Sequence, residues 1–183
     1  MEWLREIFAL VCGRYHCWTL GGEELPFCQR CTGLYVGAAL AVVLYAVFRP
    51  RPTYVSLAIH GLLLLLMVPF GYHLVWQNAV IRTLTGQLFA VGLVCYLSLL
   101  PASRLGLSEN GGRHSSWAYA VGVLLSLGIL QACVHVGGRP VGVVLAWLGF
   151  LGLLALAVLV AVNLSLLPGA VWREARSIRR SRG

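Results

Sequence analysis

Five apolar stretches, each long enough to cross a lipid bilayer, constrain this chain more than any other feature of it. A transmembrane helix needs about 17 to 25 predominantly apolar residues to cross a hydrocarbon core of about 30 Å. Thr32 to Phe48, Tyr54 to Trp76, Leu84 to Leu100, Trp117 to Val136 and Val141 to Leu167 all meet that requirement. With 59% of its residues apolar and 11% charged, the chain is too apolar for a soluble domain of its 183 residues. The expected fold is all-α: a polytopic membrane protein with five transmembrane helices in a single bundle and the lipid bilayer as its first partner.

The breaks between these stretches are chemically marked. Arg49-Pro50-Arg51-Pro52 cannot continue a helix and carries two charges. Pro101 to Ser116 is rich in Gly, Ser and charge, and Gly137-Gly138-Arg139-Pro140 reads as a tight turn. Pro168-Gly169 is expected to end the fifth segment. Three regions follow: a Cys/His-rich N-terminal segment over 1–31, a five-helix bundle over 32–167 and an Arg-rich tail over 168–183. Small residues four apart favour close helix packing: Gly33 with Gly37, Gly86 with Ala90, Gly122 with Ser126 and Gly142 with Ala146. Ahead of the bundle, Trp3, Leu4, Ile7, Phe8 and Val11 recur at helical spacing while Glu2, Arg5 and Glu6 lie off that face. This is the pattern of a short interfacial helix rather than of a signal peptide.

All fourteen basic residues are Arg and all six acidic residues are Glu, a net charge of +8. On a soluble protein that balance would suggest nucleic acid. Here the arginines sit between and after apolar segments, where they anchor helices against headgroups, so nucleic acid is not an expected partner. The five arginines behind Trp172 would attract anionic lipid headgroups. Five crossings put the termini on opposite sides. The side of the N-terminal segment, Arg82 and Arg139 holds five arginines against nine on the other. The positive-inside bias therefore favours a cytoplasmic C-terminus in a prokaryotic plasma membrane, with the N-terminal cysteines extracytoplasmic.

Those cysteines are the chemical signature of the chain. Cys12, His16, Cys17, Cys28 and Cys31 fall within twenty residues, and Cys28-Gln29-Arg30-Cys31 immediately precedes the first long apolar helix. The topology brings to the same face His73, Gln77, Asn78 and Arg82, flanking the second connection, and Cys133 and His135 at the end of the fourth helix. Ionisable groups are costly in a membrane and usually face the bundle interior, where they mark sites. His16, His73 and His135 are thus expected to meet beneath the cysteines.

Three chemistries remain open for this cluster. In the first, Cys12, His16, Cys17, Cys28 and Cys31 supply ligands to a metal ion. Thiolate and imidazole suit zinc first, with iron or copper as alternatives, and the two-residue spacing lets Cys28 and Cys31 reach one ion. In the second, Cys28 and Cys31 form a redox pair at a helix start, with Cys12 and Cys17 as a shuttle pair and a quinone as electron acceptor. In the third, the cysteines form structural disulfides. As an enzyme hypothesis, Arg30 and Arg82 hold an anionic headgroup or quinone oxygen while His73 moves protons, with Gln77, Asn78 and His135 lining the pocket. A structural subunit docked on other membrane proteins is a further class. Cys95 is expected to be a buried hydrophobe, His60 a hydrogen-bonded packing histidine and His114 solvated.

From Leu25 to Tyr35 the sequence reads Leu-Pro-Phe-Cys-Gln-Arg-Cys-Thr-Gly-Leu-Tyr. This resembles domain-of-unknown-function family 2085, small prokaryotic membrane proteins with the pattern Leu-Pro-x-Cys-x-Arg-Cys-x-Gly entering the first helix. Gln77, Asn78, Arg82, Thr85 and Gly86 look like a second, looser element of that family, so the resemblance covers about residues 10–92. Two departures bear on chemistry. Gly13 follows Cys12 where the family has His, which makes His16 the candidate for the displaced imidazole. The family's Asp has no counterpart in a chain without Asp, and His73 is the nearest polar candidate. The resemblance implies a membrane site with a cysteine-based metal centre and supplies no established reaction.

Overall fold

The structure is a computed structural model that describes residues 2–13, 16–72, 74–104 and 113–181. In chain order the elements are α1 (Glu2–Ala9), β1 (Cys17–Leu20), β2 (Glu23–Cys28), α2 (Gln29–Phe48), α3 (Tyr54–Leu65), α4 (Met67–Gly71), α5 (Ala79–Arg104), α6 (Arg113–Val136) and α7 (Arg139–Ser181). Among the described residues five helical segments are long and apolar enough to cross a membrane: Gln29–Phe48, Tyr54–Gly71, Ala79–Ser103, Ser115–Val136 and Arg139–Pro168. The fold is the all-α polytopic bundle that the apolar stretches demand.

Proline accounts for most departures from the expected boundaries. The second segment is not one helix to Trp76. Pro69 lacks an N–H and its ring crowds the carbonyl four residues back, and the helix breaks there, between Leu65 and Met67, and ends at Gly71. Pro101 and Pro168, in contrast, lie inside helices, so α5 runs to Arg104 and α7 runs through the expected stop at Pro168-Gly169 to Ser181. At Pro101 the neighbouring helix compensates. The Leu97 carbonyl has no Pro101 N–H to accept, and the Asn163 amide of α7 donates to it at 2.6 Å. Asn163→Leu should therefore loosen α5 from α7 by about 1 kcal/mol, the scale of a hydrogen bond between membrane helices. Unfolding in detergent by denaturant titration reads that loss.

At the centre, α2 packs on α5, α7 and α6, while α3 packs mainly on α5 and meets α6 through His60 and Tyr119. Glycine sets how closely α2 and α5 approach. A methyl group at Gly33 would fall within the Thr83 carbonyl, and one at Gly86 within the Arg30 carbonyl. Each glycine thus admits the other helix's backbone. One turn deeper the fully buried Gln87 donates to Ser126 Oγ at 3.1 Å, tying α5 to α6.

The N-terminal region lies over one end of this bundle. Leu4 and Phe8 of α1 are fully buried, Phe8 against Phe27 at 4.7 Å and Tyr35 at 5.3 Å between ring centroids. The apolar stripe of α1 is therefore divided between protein and surroundings, because Val11 at its end is half exposed. Between α1 and α2 the chain forms an antiparallel hairpin. Gly21 and Gly22 have φ of +59° and +83°, the left-handed pair that a two-residue hairpin turn requires. The turn rests on the start of α7, where Glu23 pairs with Arg139 at 2.9 Å.

Candidate metal centre

Three elements converge on one sulfur cluster. Cys12 follows α1, held by its backbone N–H bond to the Phe8 carbonyl at 2.8 Å and by the Phe8, Phe27 and Tyr35 contacts beneath it. Cys28 ends β2 and is also the N-cap of α2, its Sγ accepting the Cys31 N–H at 3.5 Å. Cys31 sits in the first turn of α2, where a two-residue spacing brings its side chain back beside the cap. The Cys28 N–H in turn donates to Cys12 Sγ at 3.3 Å. The Sγ atoms of Cys12, Cys28 and Cys31 all lie within 4.8 Å of one another, Cys12 buried and the other two half-buried. Cys28 and Cys31 are free thiols, so no disulfide joins them. Three cysteines are thus near enough to hold a metal ion.

Proximity has an electrostatic consequence. The Cys28 thiol titrates above its ordinary range, first because of its hydrogen bond with Cys12 and then because burial disfavours the thiolate; the bond from Cys31 opposes both. Packed sulfurs cannot all ionise without a cation between them. Two backbone N–H groups already aimed at the sulfurs of Cys12 and Cys28 favour negative charge there.

Other residues of the expected cluster stand apart from the three sulfurs. Cys17 opens β1 directly opposite Cys28 in the strand register, but its sulfur is not in the mutually close group. His16 is exposed, with φ +57°, and its carbonyl accepts the Gln29 N–H at 2.9 Å, which closes the hairpin onto α2. His135 does not turn under the cysteines: its ring meets the Trp18 edge at 5.1 Å and its Nδ1 bonds the Gln131 carbonyl at 2.8 Å. His73 lies outside the described residues. Among the described residues, then, sulfur alone makes the close group, because the helical phase of α6 aims His135 at the hairpin.

The polar groups beside the cluster are tied mainly to backbone. Arg30 donates to the Phe70 carbonyl at 2.8 Å and to Gln77 Oε1 at 2.6 Å, and Gln77 donates to the same carbonyl, so both side chains close the end of α4. The buried Arg30 Nε has no partner among the described residues. Asn78 Oδ1 accepts the Ile81 N–H at 2.8 Å, an N-cap for α5. Arg82 reaches Gln29 Oε1 at 3.5 Å.

A residue that holds this arrangement, Trp18, was not singled out from sequence; its partner Thr83 was expected only as a polar group at the start of the third helix. Trp18 Nε1 donates to Thr83 Oγ1 at 3.0 Å, and Thr83, fully buried, lies 3.1 Å from the Gln29 carbonyl. Gly21-Gly22 between Trp18-Thr19-Leu20 and Glu23-Glu24-Leu25 was the readable signal for the hairpin that carries Trp18. Thr83→Val keeps the shape but strands the indole N–H. A loss of about 1–3 kcal/mol is expected, seen as faster hydrogen exchange across the hairpin.

Together these features define a polytopic helical membrane protein whose N-terminal segment and hairpin bring three cysteines together at the mouth of its central helix. The family described as predicted membrane protein (DUF2085) matches residues 12–96, from the first of those cysteines to the last third of α5, and over that stretch the chain is similar to it. No curated protein and no solved structure matches the chain.

Proposed function

We propose that Cys12, Cys28 and Cys31 bind one zinc ion that fastens the N-terminal helix and hairpin over the bundle, with Cys17 or His16 as fourth ligand. The single observation behind this reading is the mutual approach of three sulfurs from three different elements. Tetrahedral zinc with bonds of about 2.3 Å sets its sulfurs about 3.8 Å apart, so an inward movement of about 1 Å suffices. Iron or copper would suit the same donors. The protein is an integral protein of a prokaryotic plasma membrane, its cysteines extracytoplasmic, and the Arg-rich tail meets anionic headgroups on the other side. Arg30, Arg82, Gln77 and Asn78 flank the site, and proton transfer is assigned to His73; the open donor at Arg30 Nε supports a role for Arg30 in holding an anionic group.

The competing reading is a quinone-linked thiol oxidoreductase using Cys28 with Cys31 and Cys12 with Cys17. A reactive thiol is marked by a lowered pKa. The raised Cys28 thiol points the other way. Metal analysis of purified protein with sulfur absorption spectroscopy decides: one ion per chain bound by three or four sulfurs supports the zinc reading. Metal-free protein with a quinol-reducible Cys28 to Cys31 disulfide would sink it. An accessory subunit of a larger complex would instead copurify with stoichiometric partners.

Acid should release the metal. With the thiol pKa raised, Cys28 is protonated at neutral pH and the ion must displace that proton. Affinity should therefore rise with pH, by about tenfold per unit for each displaced proton. Competition with a chelator dye between pH 6 and 8 measures the slope, and a flat profile would exclude thiol ligands.

A further inference from the structure

At the end of the bundle away from the cysteines, α3 and α6 stand apart over α5 and leave a groove of about 610 Å³. That volume falls within the range of small-molecule sites, which are mostly apolar with a few placed polar groups. The groove has that composition. Leu63, Val91 and Leu127 line its deep end, and Thr53, Ser116 and Trp117 its mouth. Its one imidazole, His60, spans the gap: Nδ1 donates to the Ser56 carbonyl at 2.7 Å, so Nε2 accepts the Tyr119 hydroxyl at 3.3 Å. These polar groups are thereby satisfied.

The dimensions of the groove identify its occupant. From Thr53 to Leu63 along α3 the rise is about 15 Å at about 1.5 Å per residue. That is half of a hydrocarbon core of about 30 Å, the depth of one leaflet. Pro50 lines the mouth, and the exposed Arg49 and Arg51 on either side of it have no ion pair among the described residues. We infer that the groove between α3 and α6 is a binding site for one anionic glycerophospholipid, one of its two acyl chains along His60 and Val91 and its phosphate at Arg49 and Arg51. The site is separate from the cysteine cluster and does not depend on its metal.

Native mass spectrometry of the full chain in detergent, with dioleoyl phosphatidylglycerol and dioleoyl phosphatidylcholine in equal amounts, tests the site. One phosphatidylglycerol should be retained per chain, with a preference of roughly tenfold or more, the scale of two arginines beside a membrane anion. Replacing both Arg49 and Arg51 by Gln should reduce the preference to about twofold or less while some lipid stays bound. Leu124→Trp, within the groove, should abolish retention of both lipids, whereas Val158→Trp on the exposed face of α7 should leave it as in the wild type. Equal retention of the two lipids by the wild type, unchanged retention in Leu124→Trp, or equal loss in Val158→Trp overturns the proposal. So does an isoprenoid quinone recovered in place of phospholipid. Circular dichroism and metal content of each variant distinguish loss of the lipid from loss of the fold.

Discussion

Serine in place of Cys12, Cys28 or Cys31 is expected to empty the proposed zinc site, each substitution lowering affinity about a hundredfold or more. Structural zinc sites bind with roughly 10–16 kcal/mol, so one of four ligands carries about 3 kcal/mol, more than two decades in affinity. The loss should be equal in kind for all three, because their sulfurs form one mutually close group. Cys17→Ser and His16→Ala separate the candidates for the fourth position. Cys17 stands opposite Cys28 in the register, while His16 is exposed at the hairpin base. If Cys17 ligates, its serine variant falls with the other three and His16→Ala keeps its metal; the reverse result assigns His16. Elemental analysis after gel filtration reads the outcome, and equal metal in every variant would remove the site altogether. Losing the ion should also release the hairpin: hydrogen exchange should quicken across β1 and β2 and stay unchanged in the deep turns of α2 and α5.

The parts of this molecule that follow from one-dimensional pattern were legible in its sequence. An apolar run of twenty residues has few options in a bilayer, so all five spans were readable. The Cys28 to Cys31 spacing before a helix brought those two sulfurs together in the reading as in the structure. What the sequence concealed depends on partners in space. Pro101 and Pro168 looked like stops because a proline removes a backbone bond; whether the helix continues depends on its neighbours, and Asn163 supplies the missing donor at Leu97. The Trp18 to Thr83 bond joins residues 65 apart, and no local signal predicts it. His135 was expected beneath the cysteines from topology alone. One helix end can face several neighbours, and the aromatic edge of Trp18 took that ring.

The cysteine site and the α2–α5 crossing are one mechanical unit, which makes the glycines at that crossing the most sensitive positions outside the cluster. The Arg30 carbonyl, lodged against Gly86, lies between Cys28 and Cys31 in sequence, and the Thr83 carbonyl against Gly33 belongs to the residue that anchors Trp18. Gly33→Val or Gly86→Val would push the two backbones apart. Overpacking of a side chain usually costs about 1–3 kcal/mol, and here the obstacle is a carbonyl that cannot rotate aside, so the cost should exceed about 3 kcal/mol. Both variants are expected to lose folded protein and, with it, bound metal. Gly128→Val is the matched control: a Cβ there meets nothing within 4 Å, so neither stability nor metal content should change. Monodispersity in detergent, denaturant midpoints and metal content measure all three together. Full metal occupancy in Gly86→Val would show that the cysteines assemble without the α2–α5 contact, and the coupling between bundle and site would be wrong.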